Sequence, residues 1–297
     1  MSGIPFVREF DFEYGKTSHL SKLIRRVIAP NPGPFTYTGT GTYIIGHGEV
    51  AVIDPGPHLK AHEIALDQAL ANDRVTHVFV THHHRDHSPL AHPLATKHGC
   101  KVYGFGAPAR SGDGTQLEEG DDTEFRPDTE LVDNQVIAGA GWTIEALHTP
   151  GHTSNHMCYA LSEENTLFCG DHIMAWATSV VIPPDGHMGD YLDQLRRIRD
   201  LEFAAIWPTH GPAIQNTRKF LDAYIEHRLN RETQILELLN GGPHDITALV
   251  AKMYADIDKR LHPAAAYSVL GHMIHLVETK RIGCDGIPGF SNSYWLA

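Results

Sequence analysis

The densest chemistry in the chain lies at Thr81-His82-His83-His84-Arg85-Asp86-His87. Imidazole and carboxylate are the ligand types that hold zinc and similar borderline cations. His82 and His84, two residues apart, can face the same way and chelate one ion. Asp86 and His87 can turn toward a second. A solvated His-rich loop is the competing reading. It is disfavoured because the β-branched run VTHVFVT (75–81) precedes the motif and a helix start follows it. A strand end is a rigid post from which a tight loop can aim several side chains at one point.

Three more segments repeat that pattern. In His148-Thr149-Pro150-Gly151-His152 the Pro-Gly turn can present His152, with His148 as its rival. In Phe168-Cys169-Gly170-Asp171-His172 an apolar strand stops at Asp171, whose carboxylate could bridge two cations and offset their charge. Pro208-Thr209-His210-Gly211 offers one more imidazole. Each of the three is weak alone. The chain has 22 histidines, so chance pairs are expected. Four strand ends bearing such residues, not their number, set a site apart from chance.

The elements that must position these residues can be read from periodicity. Residues 41–46 and 50–54 form two strands around Gly46–Gly48, and a helix over 58–72 turns Ile64, Ala65, Leu66 and Leu70 inward. Strand 75–81 and a helix over 88–98 follow, then an irregular acidic stretch to about 122. Strands are expected near 130–138, 142–148, 155–161, 166–169 and 204–207, with a helix at 189–200. This order predicts an α/β sandwich with helices on its outer faces. Beyond 214 the pattern is helical: 215–240, a short helix capped by Asp245, and one from Pro263 to about 281. The Gly- and Ser-rich end suits a hairpin, which completes the parts of a winged helix. We divide the chain into a catalytic unit, 1–214, and a helical linker with winged-helix-like unit, 215–297.

Composition narrows the function. Hydrophobic content of 41% supports a sizeable core, and a net charge of −12 disfavours a large nucleic-acid footprint or an anionic membrane partner. The opening residues carry no secretory pattern, no long apolar run spans a membrane, and the four cysteines form no C-x-x-C pair. A cytoplasmic protein is the expectation. Most remaining histidines read blandly. His58 and His62 are expected on a solvated helix face, and His272 and His275, at i,i+3, could chelate but are read as having no carboxylate or cysteine nearby. His83 should point away from its neighbours. His172 and His187 are candidates to touch substrate.

The ordered set H-x-H-x-D-H at 82–87, T-P-G-H-T at 149–153, G-D at 170–171 and T-H-G at 209–211 resembles the metallo-β-lactamase superfamily. That resemblance implies an αββα sandwich with a two-metal site at one edge. It implies His82, His84 and His152 on the first metal, Asp86, His87 and His210 on the second, and Asp171 bridging them. Asn31-Pro32-Gly33-Pro34-Phe35-Thr36, Ile53-Asp54-Pro55-Gly56-Pro57 and the tail are similar to the β-lactamase-like protein 2 family, whose best-known animal member is an endoribonuclease.

Two divalent ions, zinc by first choice, can share a water and lower its pKa toward neutrality. The bridging hydroxide would attack an ester, thioester or lactone, with Asp86 as the catalytic residue that orients it and moves the proton. Asp54 is a candidate to hold a ligand histidine. Segments 31–40 and 174–190 are expected to line the pocket. A small-molecule substrate is the leading partner. Single-stranded RNA is the alternative, against which stands a tail (241–297) of five Lys/Arg and five Asp/Glu. The tail is also assigned to packing and to a homodimer contact.

Overall fold

The computed structural model describes residues 3–109, 120–242, 244–255, 258–259 and 262–297. Residues 110–119 of the acidic stretch, and Pro243, lie outside the described residues. The first sheet contains β1 (Thr17–His19), β2 (Ile24–Ile28), β3 (Gly41–Ile45), β4 (Glu49–Ile53), β5 (Arg74–Phe79), β6 (Lys101–Gly104) and β7 (Thr129–Glu130), paired in that order. The second runs β12 (Ala205–Pro208), β11 (Thr166–Gly170), β10 (Met157–Leu161), β9 (Trp142–His148), β8 (Gln135–Gly139). Pairs β4–β5, β5–β6, β6–β7 and β11–β12 are parallel.

Alternation along the strands builds the layers. Val50 and Val52 of β4 pack with Ala65 and Leu66 of α1 (Lys60–Ala69) and Leu94 of α2 (Ala91–His98). Their neighbours Ala51 and Ile53 face the opposite way, against Ile144, Tyr159 and Phe168 of the second sheet. Cys158, Leu167 and Cys169 turn outward to α3 (Met188–Asp200) and α4 (Thr217–Leu239). The result is the expected αββα sandwich. Helix α4 then continues into a second core, where Ile235 and Leu239 join α5 (Ile246–Met253), α6 (His262–Glu278) and the hairpin β13 (Ile282–Cys284)–β14 (Tyr294–Leu296). Asp245 caps α5 as expected, accepting from Ala248 N at 2.7 Å. Among the described residues no helix is long and apolar enough to cross a membrane.

Several expectations need correction. The sequence pattern gives no signal for β1 and β2, because Arg25 and Arg26 interrupt the apolar alternation. Both arginines are nonetheless buried: Arg25 pairs with Asp73 at 2.8 Å, and Arg26 donates to the Gly211 carbonyl at 2.9 Å. On α1 the buried face is His62, Ala65 and Leu66, so Ile64 is exposed and His62 is not solvated. His62 Nε2 lies 3.0 Å from both Thr42 Oγ1 and the Pro55 carbonyl. His58 precedes the helix and is exposed, as expected.

Candidate metal centre

The two sheets meet at one edge, where Met157 N donates to the Thr81 carbonyl at 2.8 Å and Gly41 N to the Thr209 carbonyl at 2.8 Å. The strand-end loops converge there. All seven predicted ligands are buried, and they fall into two clusters: His82, His84 and His152, and Asp86, His87, Asp171 and His210. Within each cluster one ligand atom per residue lies within 4.8 Å of all the others.

Hydrogen bonds fix the orientation of the imidazoles. Nδ1 of His152 donates to the Val180 carbonyl at 2.7 Å, and Nδ1 of His210 to the Gly39 carbonyl at 3.2 Å. Nδ1 of His87 meets Asp54 Oδ2 at 2.8 Å, and Nδ1 of His82 meets Thr81 Oγ1 at 3.0 Å. Each of these rings therefore turns Nε2 inward. His84 is reversed: its Nδ1 faces His82 Nε2 at 2.9 Å. In the second cluster His210 Nε2 stands 3.0 Å from Asp86 Oδ2 and 3.3 Å from Asp171 Oδ2, and His87 Nε2 stands 3.3 Å from Asp86 Oδ2.

Asp54 gathers this edge. Its carboxylate accepts from Thr81 N, Thr81 Oγ1 and Thr209 Oγ1 at 2.8, 2.9 and 2.9 Å, besides His87. Its backbone is left-handed, with φ +48°. Few side chains tolerate that conformation, and Asp is among those that do.

The two clusters differ in electrostatics. Burial, reinforced by neighbouring imidazoles, holds His82 well below its ordinary pKa and lowers His84 to about 3. Burial also opposes charge on His87 and His210. There the carboxylates win: Asp86, Asp171 and Asp54 raise His87 well above its usual value, and Asp171 with Asp86 lifts His210 to about 10. Asp86 and Asp171 are held low despite burial, by those same two imidazoles. A pair of buried carboxylates that draws protons onto its neighbours offers the same attraction to a divalent cation.

The donors fit such ions. His152 Nε2 is buried without a hydrogen bond among the described residues, and His87 Nε2, His210 Nε2 and Asp171 Oδ1 meet only one another and Asp86 at ion-pair distance, without an aligned hydrogen bond. Orphaned buried polar atoms are costly, and a shared cation would satisfy them together. The clusters are consistent with a dinuclear metal site.

Other candidates resolve differently. His148 stays outside the clusters, stacked on Phe105 at 3.8 Å. His83 turns to Asn155 at 3.0 Å and, with His84 and Asp121, forms a further possible ligand group beside the main site. His172 is fully buried against Tyr191 at a ring separation of 4.7 Å, and burial lowers it to about 3. His187 pairs with Glu278 of α6 at 2.8 Å. His272 and His275 have a carboxylate after all: Glu232 Oε1 of α4 is 3.7 Å from each. Forty residues of intervening chain hide it from a sequence reading.

His156 is a residue that spacing arguments miss. It reads as part of an apolar strand, yet its Nε2 accepts from Asp171 N at 3.3 Å and its Nδ1 meets Thr149 Oγ1 at 2.9 Å. It thus ties the bridging-carboxylate candidate to the loop that carries His152. The 31–40 and 174–190 segments do flank the centre, where Tyr37 stacks on Trp176 at 4.8 Å.

Comparison with known proteins agrees with this geometry. Residues 37–210 match the metallo-beta-lactamase superfamily, and residues 246–286 match the beta-lactamase associated winged helix domain. The chain is 31% identical to the beta-lactamase-like protein 2 homolog of Caenorhabditis elegans, over 93% of this chain and 90% of that one. It is 32% identical to an atrochrysone carboxyl ACP thioesterase of Paecilomyces divaricatus, covering 82% of this chain and 73% of the other. A metallo-beta-lactamase family protein of Thermus thermophilus shares the fold with a TM-score of 0.74 at 23% identity, covering 94% of this chain and all of its own.

Proposed function

This chain belongs to the metallo-beta-lactamase superfamily, and we propose that it is a dinuclear hydrolase of a small carboxylic thioester, ester or lactone, with thioesters first. The observation that carries the reading is the pair of adjoining buried clusters whose orphaned nitrogens and oxygen converge. His82, His84 and His152 would hold one ion, Asp86, His87 and His210 the other, and Asp171 would join them. Zinc suits this mix of imidazole and carboxylate. When bound, such a pair supplies Lewis-acid activation of water and of the scissile carbonyl.

The protein's own groups do the rest. Asp86, beside the second ion it would help to hold, takes the proton of the attacking water and returns it to the leaving group. Asp54 and the carbonyls of Gly39 and Val180 hold three imidazoles in one tautomer, so that no reorientation is needed during the reaction. Thioesters lead because a relative with that named activity matches most of the chain. The winged-helix match keeps single-stranded RNA as the alternative substrate, although the tail carries no net charge.

The test is turnover by zinc-loaded protein on a thioester, ester and lactone panel beside a fluorogenic single-stranded RNA, with His84→Ala as control. Thioester or ester cleavage that vanishes in the control supports the reading. RNA cleavage that vanishes in the control, with no ester or thioester activity, replaces it with the nuclease reading.

A further inference from the structure

A cavity of about 470 Å³ is lined by Arg8, His227, Arg228 and Arg231 together with the aromatic Trp176 and Tyr254. That volume suits a small molecule. Among the described residues no carboxylate lines it. In a chain with a net charge of −12, three guanidiniums gathered without an acid are unusual.

Arg197, Arg218 and Arg281 pair with Asp133, Glu202 and Glu232. Among the described residues Arg8, Arg228 and Arg231 have no carboxylate partner. Arg228 is 97% buried (3% exposed), donates to the Ser179 carbonyl and lies over the Tyr191 ring at 5.2 Å, yet its Nε has no hydrogen-bond partner. Arg231 lies over Tyr254 at 4.9 Å. Burial, with smaller contributions from Arg228, Arg231 and His272, lowers His227 to about 4. Guanidiniums beside aromatic rings are the usual means of holding a phosphate or carboxylate on a flat-walled chain.

The cavity adjoins the chemistry. Ala177 and Thr178 line it, and two residues on, the Val180 carbonyl orients His152. Trp176 packs within 3.1 Å of the position a Cβ on Gly211 would take, beside His210. The cavity's wall is therefore continuous with the segments that position His152 and His210.

We propose that this cavity is a subsite for the phosphate group of the substrate's thiol carrier, so that the substrate is an acyl thioester of a phosphorylated pantetheine chain. This rests on the thioester reading above and names the part of the substrate that leaves. RNA is the less suitable occupant, since a cavity of this size holds one anionic group whereas a polynucleotide needs a track of cations.

Calorimetric titration of metal-loaded protein with pantetheine 4′-phosphate, pantetheine, glutathione and a short single-stranded RNA tests it. The comparison uses wild type, Arg8→Gln, Arg231→Gln and, as a control of equal charge change on α4, Arg218→Gln. Circular dichroism checks that each is folded. The two pantetheine compounds share one thiol, so any thiol–metal contact cancels between them. We expect the phosphate to tighten binding at least ~10-fold in wild type and in Arg218→Gln. The advantage should fall below ~3-fold in the Arg8 and Arg231 variants. Equal affinity for the two compounds in wild type overturns the proposal, as does an advantage that survives both substitutions. Arginine-dependent binding of glutathione or RNA that exceeds that of the phosphate also overturns it. Binding is read without turnover. Failure of the thioester reading therefore shows as absent hydrolysis with the phosphate preference intact. Failure of the subsite shows as hydrolysis without the preference.

Discussion

Oδ2 of Asp54 stands 2.8 Å from Nδ1 of His87, and both side chains are fully buried. The contact fixes the tautomer that leaves His87 Nε2 facing Asp86 and Asp171. Removing the charge with Asp54→Asn should weaken the second cluster's hold on its ion by roughly 10–100-fold. The first cluster, which Asp54 reaches only through Thr81 Oγ1 and His82, should change less. Competition with a chromogenic chelator resolves the two sites, and equal weakening of both would contradict this division.

Gly170 (φ +52°) precedes Asp171, and a Cβ there would come within 2.6 Å of His156 Nε2 and 2.9 Å of Thr81 Oγ1. The backbone must pass that close for His156 to receive Asp171 N. Gly170→Ala should cost about 2–4 kcal/mol of stability through strain and clash. It should also displace Asp171, so that fewer ions are retained after dialysis. Chemical denaturation together with elemental analysis reads both. Unchanged stability and metal content would show that the tight approach is dispensable.

His62 supplies a pH test away from the ligands. Burial lowers its pKa to about 4, which outweighs its hydrogen bond to the Pro55 carbonyl. The unfolded chain thus binds a proton near pH 6.5 that the folded chain refuses until about pH 4. The stability from this group is complete above pH 6.5 and is lost as pH falls through that window, amounting to roughly 3 kcal/mol. In chelator-stripped protein His62→Gln should lose less stability than wild type between pH 7 and 4. Parallel profiles would refute the assignment.

Much of the fold was legible because its core strands are short apolar runs bounded by turn residues and because helices such as α5, capped by Asp245, follow the expected periodicity. Val50 and Val52 against Ala51 and Ile53 show the alternation. The residues of the two clusters were legible because each strand end carries them within a few residues. What escaped the sequence depends on contacts between distant segments. Arg25 and Arg26 look like surface residues until Asp73 and the Gly211 carbonyl are brought to them. His62 looks solvated until Thr42 and Pro55 close over it. His156 and the carbonyls of Gly39 and Val180 leave no local mark at all, because orientation of a ligand is a property of the folded chain.

Glu232 joins α4 to the C-terminal unit. It is 1% exposed, meets Arg281 at 2.6 Å, and faces His272 and His275. Glu232→Gln keeps the shape and removes the charge. Because Arg281 is half exposed and can re-solvate, the expected loss is about 1–3 kcal/mol rather than the full cost of breaking a buried pair. Metal content should be unchanged. Thermal denaturation of metal-loaded protein checks this, and a variant as stable as wild type would show that the cluster contributes nothing to docking.

The central claim is that the two clusters act as one dinuclear centre for thioester hydrolysis. Stepwise addition of zinc to chelator-stripped protein, with bound ions counted by native mass spectrometry and thioester cleavage followed in parallel, tests it most directly. The account predicts two ions per chain, with turnover rising to its plateau as the second is taken up. Saturation at one ion, or two ions without thioester cleavage, would contradict it.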